Sequence, residues 1–409
     1  MSLKIVNIGE AEMVERFPGT FLLGCVALLS GLKGLRLPNL WSATQSQIDY
    51  SMRIVKRGFF GELMQLFGID IGHYFIFTCV SFMILATTLL LWYVLLTTCT
   101  RNVIYDARYD TLLMVYLSSF SVSYMVHMVG YTDILLLALT IVCLLLPISL
   151  LHMCVTYMLC AFGVLFHEIF VVIFFPIIWF RMVLEAVAPV ERSRVSLVPH
   201  LILLPTFVLI LASALTYQAS LTEAQTHELQ KAILTHVDFK LRPDFFDVMK
   251  RSVGDNLKWM LNMYWYDPIS WGVKEARAFI TLLPVALLFC WCSVVLLIGT
   301  NHRRRHVLAF GAVIASLSPL TLQLIGMDWF RWNALAVTNS FMVFLLLRRN
   351  FGDRHLDATR WVRSPKVALV IVMLNLSTGD GLFDNYRVKT FPYILELYQC
   401  VTQTCMPTS

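Results

Sequence analysis

Two pairs of ionisable side chains interrupt apolar sequence in this chain. In "LTLQLIGMDWFRWNALAV", Asp328 and Arg331 stand three residues apart, with Trp329 and Trp332 beside them. In "LFHEIF", His167 and Glu168 follow a stretch, residues 134–166, that holds no Asp, Glu, Lys or Arg. Ionisable groups in apolar surroundings are costly, so they pair with one another or line a cavity. At their spacing Asp328 and Arg331 can form a local ion pair capping a helix hairpin, with the tryptophans as interfacial anchors. The same residues suit a binding site: Arg331 presents a planar fork to a phosphate, Asp328 orients it, and the indoles cover a sugar ring or lipid head. On that reading Arg331→Ala is expected to abolish activity and leave folding intact. His167 and Glu168 are either the polar apex of a turn or a proton acceptor. No HxxxH or HExxH spacing accompanies them, so zinc has no support.

A third cluster lies in residues 37–72, "LPNLWSATQSQIDYSMRIVKRGFFGELMQLFGIDIG". Ile48, Met52, Val55, Phe59, Leu63 and Leu66 recur every three or four residues, the period of an amphipathic helix, which Gly58 and Gly61 can divide in two. Such a helix lies along a membrane surface with Arg53, Lys56 and Arg57 near the headgroups. The functional alternative aims Asp49 or Glu62 into a cavity and uses the bases as a phosphate clamp.

These residues need elements to position them, and the composition says which kind. Of 409 residues, 58% are hydrophobic and 14% charged, against about 25% charged in soluble domains. Apolar runs of about 18–20 residues span a bilayer. Spans are expected near 19–36, 73–99, 110–129, 133–150, 152–166, 169–185, 197–217, 278–299, 307–325, 333–347 and 366–377. The pair 152–166 and 169–185 reads either as two spans or as one long helix. Basic residues hugging the helices in "NHRRRH" and "LRRNFGDRHLDATRWVRSPK" favour two spans and a cytoplasmic N-terminus. The expectation is an all-α polytopic membrane protein of about eleven spans. It has one domain over 1–377, with outer loops 37–72 and 218–277, and an exported tail over 378–409. No cleavable signal is evident.

In this topology Asp49, Arg53, Lys56, Arg57, Glu62, Asp133, His167, Glu168, Asp328 and Arg331 all fall on one face. Segment 218–277 begins polar and helix-like, then turns aromatic in "LKWMLNMYWYDPISWG", a bilayer-edge belt or a surface for sugars. Eight cysteines sit in or beside spans as small hydrophobes. Cys400 and Cys405 in the tail suit a short disulfide loop in an oxidising compartment. No P-loop, GxGxxG or GxSxG occurs, and nothing points to nucleic acid.

Chemistry on an outer face without nucleotides fits sugar transfer from a polyprenyl-phosphate donor, which carries its own activated phosphate. Such a reaction needs a carboxylate base for the acceptor hydroxyl and cations for the leaving phosphate. The layout resembles polytopic glycosyltransferases of the GT-C type. The segments "VKRGFFGEL" at 55–63 and "DWFRW" at 328–332 also look like those of bacterial envelope-polysaccharide membrane proteins. The resemblance implies an inverting transferase of the bacterial inner membrane with its C-terminus outside, a polyprenyl-linked donor and an envelope-glycan acceptor. Its first-loop base maps best onto Asp49. The loop has no DxD pair, so no cofactor or metal is expected. Asp49, Glu62, His167 and Glu168 are the candidate catalytic residues. Arg53, Lys56, Arg57, Asp133, Asp328, Arg331, Trp329 and Trp332 are the candidate binding residues. A lipid-linked polysaccharide polymerase or ligase is the nearest alternative, and a transporter or flippase the alternative of a different class.

Overall fold

The computed structural model describes residues 10–51, 56–100, 107–147, 149–187, 197–218, 221–299, 304–326, 328–352 and 365–377, and among these every regular element is helical. The first part of the chain contains α1 (Glu10–Gly34), the short α2 (Leu40–Ser46) and α3 (Phe59–Leu66), and the long α4 (Tyr74–Thr100). Next come α5 (Ala107–Ser118), α6 (Phe120–His127), α7 (Thr132–Leu145), α8 (Leu150–Phe166), α9 (Phe170–Ile173), α10 (Phe175–Val187) and α11 (His200–Gln218). A group of polar-to-aromatic helices follows, α12 (Glu223–Leu234), α13 (Pro243–Lys250) and α14 (Val253–Tyr266). The last part holds α15 (Pro268–Ile298), α16 (Arg305–Leu317), a 3₁₀ segment (Ser318–Leu324), α17 (Trp329–Phe351) and α18 (Pro365–Ser377).

Among the described residues five helical stretches are long and apolar enough to cross a membrane: Tyr74–Cys99, Phe170–Val187, Trp271–Ile298, Arg305–Leu324 and Trp329–Phe351. A sixth arises if α6 and α7, which meet at a 115° bend, count as one broken span. The apolar parts of α1, α8 and α11 are shorter, below the roughly 20 residues a full crossing needs. Large apolar side chains are exposed on α4 (Met83, Leu90) and α11 (Ile202, Ile210), an arrangement that calls for a lipid surround rather than water. The protein is an integral membrane protein with five or six such helices, and the eleven expected crossings reduce to this coarser statement.

Several expected boundaries shift for physical reasons. The expected span 110–129 is split at Ser119, an extended residue between α5 and α6. Residues 152–185 do not form one helix, because His167 is extended (φ −164°, ψ 125°) and ends α8. α8 and α10 then fold back on one another. Met153 and Thr156 near the start of α8 share a cleft with Ile178, Arg181 and Met182 near the end of α10. α15 begins at Pro268, ten residues before the span expected from 278.

The expected amphipathic helix from residue 48 is also corrected. Only Phe59–Leu66 of it is helical among the described residues. Ile48 is fully buried and Gly61 approaches its carbonyl closely, so the chain doubles back where a helix would run straight. Asp49 Oδ1 accepts the Ser51 amide (3.0 Å), a side-chain turn that competes with helix.

α17 is the axis of the bundle. Nearly all its residues are buried, polar Asn333, Thr338, Asn339 and Ser340 included. Their hydrogen bonds stay within the protein: Ser121 Oγ donates to Ala334 O (2.6 Å), and Asn339 Nδ2 donates to Ile173 O (2.6 Å). Aromatic rings fill the remainder, with Tyr116 stacked on Phe341 at 4.0 Å. α12 and α14 begin with capping boxes, Thr222 with Gln225 and Ser252 with Asp255, which satisfy orphan amides at helix starts.

The tight link between α6 and α7 depends on Gly130, whose φ is +88° and whose missing Cβ would stand 2.8 Å from both Pro38 Cβ and Ser42 Oγ. Gly130→Ala therefore combines backbone strain with a clash and is expected to cost about 1–3 kcal/mol or more. The measurement is thermal unfolding in detergent, where an unchanged midpoint would show that the link relaxes freely.

Candidate functional site

The α6–α7 link, the α2–α3 loop, the α8–α9 apex and the start of α17 meet at one end of the bundle. Two ionic clusters form there, divided by the Tyr131–Asp133 turn.

The first centres on Arg331, which is 8% exposed, at the start of α17. Its Nε and Nη2 donate to Asp133 Oδ1 (3.2 Å) and Oδ2 (2.7 Å), a bidentate pair, while Nη1 donates to Asp328 Oδ2 (3.2 Å). Asp133, 1% exposed, is supplied by the first turn of α7. The guanidinium also lies over the rings of Trp332 (4.7 Å) and Tyr131 (5.6 Å). Trp332 Nε1 donates to Gly326 O (3.3 Å), and Trp329 packs against Trp271 at 5.5 Å. Both tryptophans are buried, so they are core residues here and not an exposed belt. With two aspartates on one arginine, the cluster carries a net negative charge. Its planar fork is filled by Asp133, the partner that sequence spacing could not reveal.

The second cluster joins Arg57, Glu168 and His167. Arg57 Nη2 and Glu168 Oε1 are 2.9 Å apart, across 111 residues of sequence. Arg57 has φ +66°, a conformation L residues seldom hold without surrounding constraint. Each partner keeps one buried atom without a hydrogen-bond partner, Nε of Arg57 and Oε2 of Glu168. His167 Nδ1 accepts the Ile169 amide (3.3 Å) and stands 3.1 Å from Glu168 Oε2. One ring nitrogen cannot accept from the amide and donate to the carboxylate at once, so the two protonation arrangements compete.

Electrostatics follow from this packing. Burial holds the His167 imidazole at about 4, with Arg57 reinforcing the effect against the opposing pull of Glu168. For Glu168 burial alone would raise the carboxyl, but Arg57 and His167 overcome it and hold the group well below the usual carboxylate range. Arg331 is also within electrostatic reach of His167, so the clusters sense each other.

A cleft of about 430 Å³, counted to its open mouth, lies beside Arg57. Its polar wall includes Ser42, Gln45, Ser46, Tyr131 and Thr132. α2 brings its three residues because Asn39 caps that helix through Ser42 N (2.8 Å) and ties to Tyr131 OH (2.8 Å). Ser42, Gln45 and Ser46 were missed in the sequence reading, which weighed ionisable groups alone. The cluster of Ser and Gln in "WSATQSQ" beside a predicted cavity was the available signal.

The remaining candidates are placed differently. Lys56 Nζ donates to Val248 O and Arg251 O, each at 3.1 Å, capping the end of α13. Burial lowers the Lys56 ammonium, assisted by Arg57 and opposed by Glu168. Asp49 receives Ser51 and Gln65, and Glu62 Oε2 accepts the Tyr50 amide (3.1 Å). Arg53, Cys400 and Cys405 lie outside the described residues. Among the described residues no group of three His, Cys, Asp or Glu side chains is placed to hold a metal ion. Compared with known protein families, curated proteins and solved structures, the chain matches none.

Two predictions follow from the buried groups. Asp133→Leu leaves Arg331 buried with only exposed Asp328, and is expected to cost about 3–5 kcal/mol. The double variant Asp133→Leu/Arg331→Met should unfold closer to wild type than either single variant. Equal losses in all three would deny the pair its structural role. Arg331→Ala is correspondingly expected to lower the unfolding midpoint.

Second, His167 has a folded-state value below its ordinary 6.5. Between about 4 and 6.5 the unfolded chain binds more protons, so stability is complete above 6.5 and falls as the pH drops. The loss amounts to about 3 kcal/mol. Unfolding midpoints in detergent from pH 7 to 4 measure it, and His167→Asn should flatten that window.

Proposed function

We propose that the protein is a membrane glycosyltransferase that moves a sugar from a polyprenyl-phosphate donor to a cell-envelope glycan on the non-cytoplasmic face. The observation that carries this reading is the Arg57–Glu168 pair beside a cleft whose wall carries hydroxyls and an amide, at the end of apolar helices, with Nε of Arg57 unsatisfied. A donor whose tail lies in the bilayer reaches such a cleft from the side. The hydroxyl and amide wall suits sugar hydroxyls.

The reaction assigns roles to these groups. The acceptor oxygen attacks the anomeric carbon, the carbon–oxygen bond to phosphate breaks, and the electron pair leaves with the phosphate. Arg57 neutralises that charge. Glu168 takes the acceptor proton. In the resting pair Glu168 is a weak base, because Arg57 stabilises its anion. A donor phosphate competes for Arg57, releases the carboxylate and raises its basicity, so the base becomes effective only when the donor is bound. His167, 3.1 Å from Glu168, is positioned to receive the proton next.

Asp49, the base implied by resemblance to GT-C enzymes, is a weaker choice. Its carboxylate holds the loop through Ser51 and Gln65. Arg331 supports the site by fixing the Tyr131–Asp133 turn, and Lys56 by anchoring the loop that carries Arg57.

The test compares the surface glycan of host cells with and without the gene, complemented by wild type, Glu168→Gln or Arg57→Ala. Loss of one sugar on deletion, restored by wild type alone, supports the assignment. Glu168→Gln is expected to reduce turnover by about 10²–10⁴-fold while the protein still folds. A ladder truncated at one repeat would mark a polymerase, and an unchanged glycan would sink both and turn attention to transport.

A further inference from the structure

A second cleft lies between the far ends of the helices that build this site, about 300 Å³ when counted out to its open mouth. Its lining includes Cys143 and Leu146 of the α7 end, His152 and Thr156 of α8, and Arg181 and Met182 of α10. Arg181 is 8% exposed, and its Nη1 and Nη2 donate to the carbonyls of Cys143 and Leu146. Those bonds satisfy carbonyls at the end of α7. They leave Nε buried without a partner, a donor that a native interior ordinarily satisfies.

Three further features give this cleft a preference for anions. The start of α8 lies there, and its amide ends carry positive potential. Ser149 Oγ accepts the His152 amide (3.4 Å) and stands 2.6 Å from His152 Nδ1. In the tautomer where the Ser149 hydroxyl donates to Nδ1, the ring hydrogen sits on Nε2 and that atom is a second donor. Arg349 from α17 and Glu185 from α10 are within electrostatic reach of Arg181, and the three together sum to one positive charge.

The location identifies the source. Leu150 and Leu151, beside the cleft at the start of α8, are 67% and 70% exposed. Apolar side chains so exposed at the start of an apolar helix suit contact with lipid, which would set the mouth of the cleft at headgroup depth. Basic pockets between helices at this depth hold lipid headgroups.

We infer that the cleft between the end of α7, the start of α8 and Arg181 is a binding site for a phosphate ester, supplied by the headgroup of an anionic phospholipid. The phosphate accepts from Arg181 Nε, from His152 and from the first amides of α8, with the acyl chains along Leu150 and Leu151. The site is at the opposite end of α7 and α8 from the Arg57–Glu168 cleft and does not depend on the proposed reaction.

The test uses the full-length protein in detergent, exposed to mixed micelles with equal phosphatidylglycerol and phosphatidylcholine, with retained lipid counted by native mass spectrometry. Thermal unfolding with inorganic phosphate is the second arm. Arg181→Lys removes the Nε donor, while Thr156→Trp leaves Arg181 in place and fills the cleft. Wild type is expected to retain phosphatidylglycerol preferentially; Arg181→Lys is expected to lose roughly tenfold of that preference, the loss of one charge-assisted hydrogen bond, and Thr156→Trp to lose it by occlusion. If only inorganic phosphate stabilises wild type, and neither variant responds, the anion site stands with a soluble ligand. Equal retention of both lipids with no phosphate response overturns it, as does a preference that survives in Thr156→Trp. Should Arg181→Lys fail to fold, the Thr156→Trp result decides alone.

Discussion

The buried ion pair between Arg331 and Asp133 is the constraint around which this end of the molecule is arranged. It joins the first turn of the central helix α17 to the first turn of α7. A guanidinium at 8% exposure needs acceptors for its charge and its donors, and here the Asp133 carboxylate supplies both. That requirement fixes the Tyr131–Asp133 turn, and the turn in turn supplies part of the cleft wall. Tyr131 is tied to Asn39, the N-cap of α2, so the same pair also fixes the helix that offers Ser42, Gln45 and Ser46.

This arrangement divides the charged residues by task. Arg331 and Lys56 have their donors engaged by protein acceptors and hold segments in place. Arg57 and Glu168 are paired, yet each retains a buried atom in need of a partner. In the proposed reaction the unsatisfied Nε of Arg57, on a residue held at positive φ, is a donor left for the donor phosphate. The same reasoning separates the two faces of Arg181, whose terminal nitrogens cap α7 while its Nε remains unsatisfied.

Much of the helical framework was legible because its cause is local. Apolar runs and the break at "FHE" both act within a few residues. The failures share a different cause. The period-3.6 pattern from Ile48 to Leu66 was real, but Ile48 gains more from full burial against Gly61 than from a surface helix. Lys56 and Arg57 likewise turn inward, since acceptors from α13 and the α8–α9 apex lie beneath them. Trp329 and Trp332 have the composition of an interfacial belt and the burial of a core.

The sequence by itself determined that the chain is a helical membrane protein and that its ionisable residues stand at the ends of apolar segments. Both follow from the cost of placing charge and unpaired backbone in hydrocarbon, a cost paid residue by residue and visible without a fold. Only the tertiary structure decided which charges meet. Asp133 and Arg331 are 198 residues apart, and Arg57 and Glu168 are 111. No local rule selects Asp133 over Asp328 as the buried partner of Arg331, because that choice depends on where α7 packs against the start of α17.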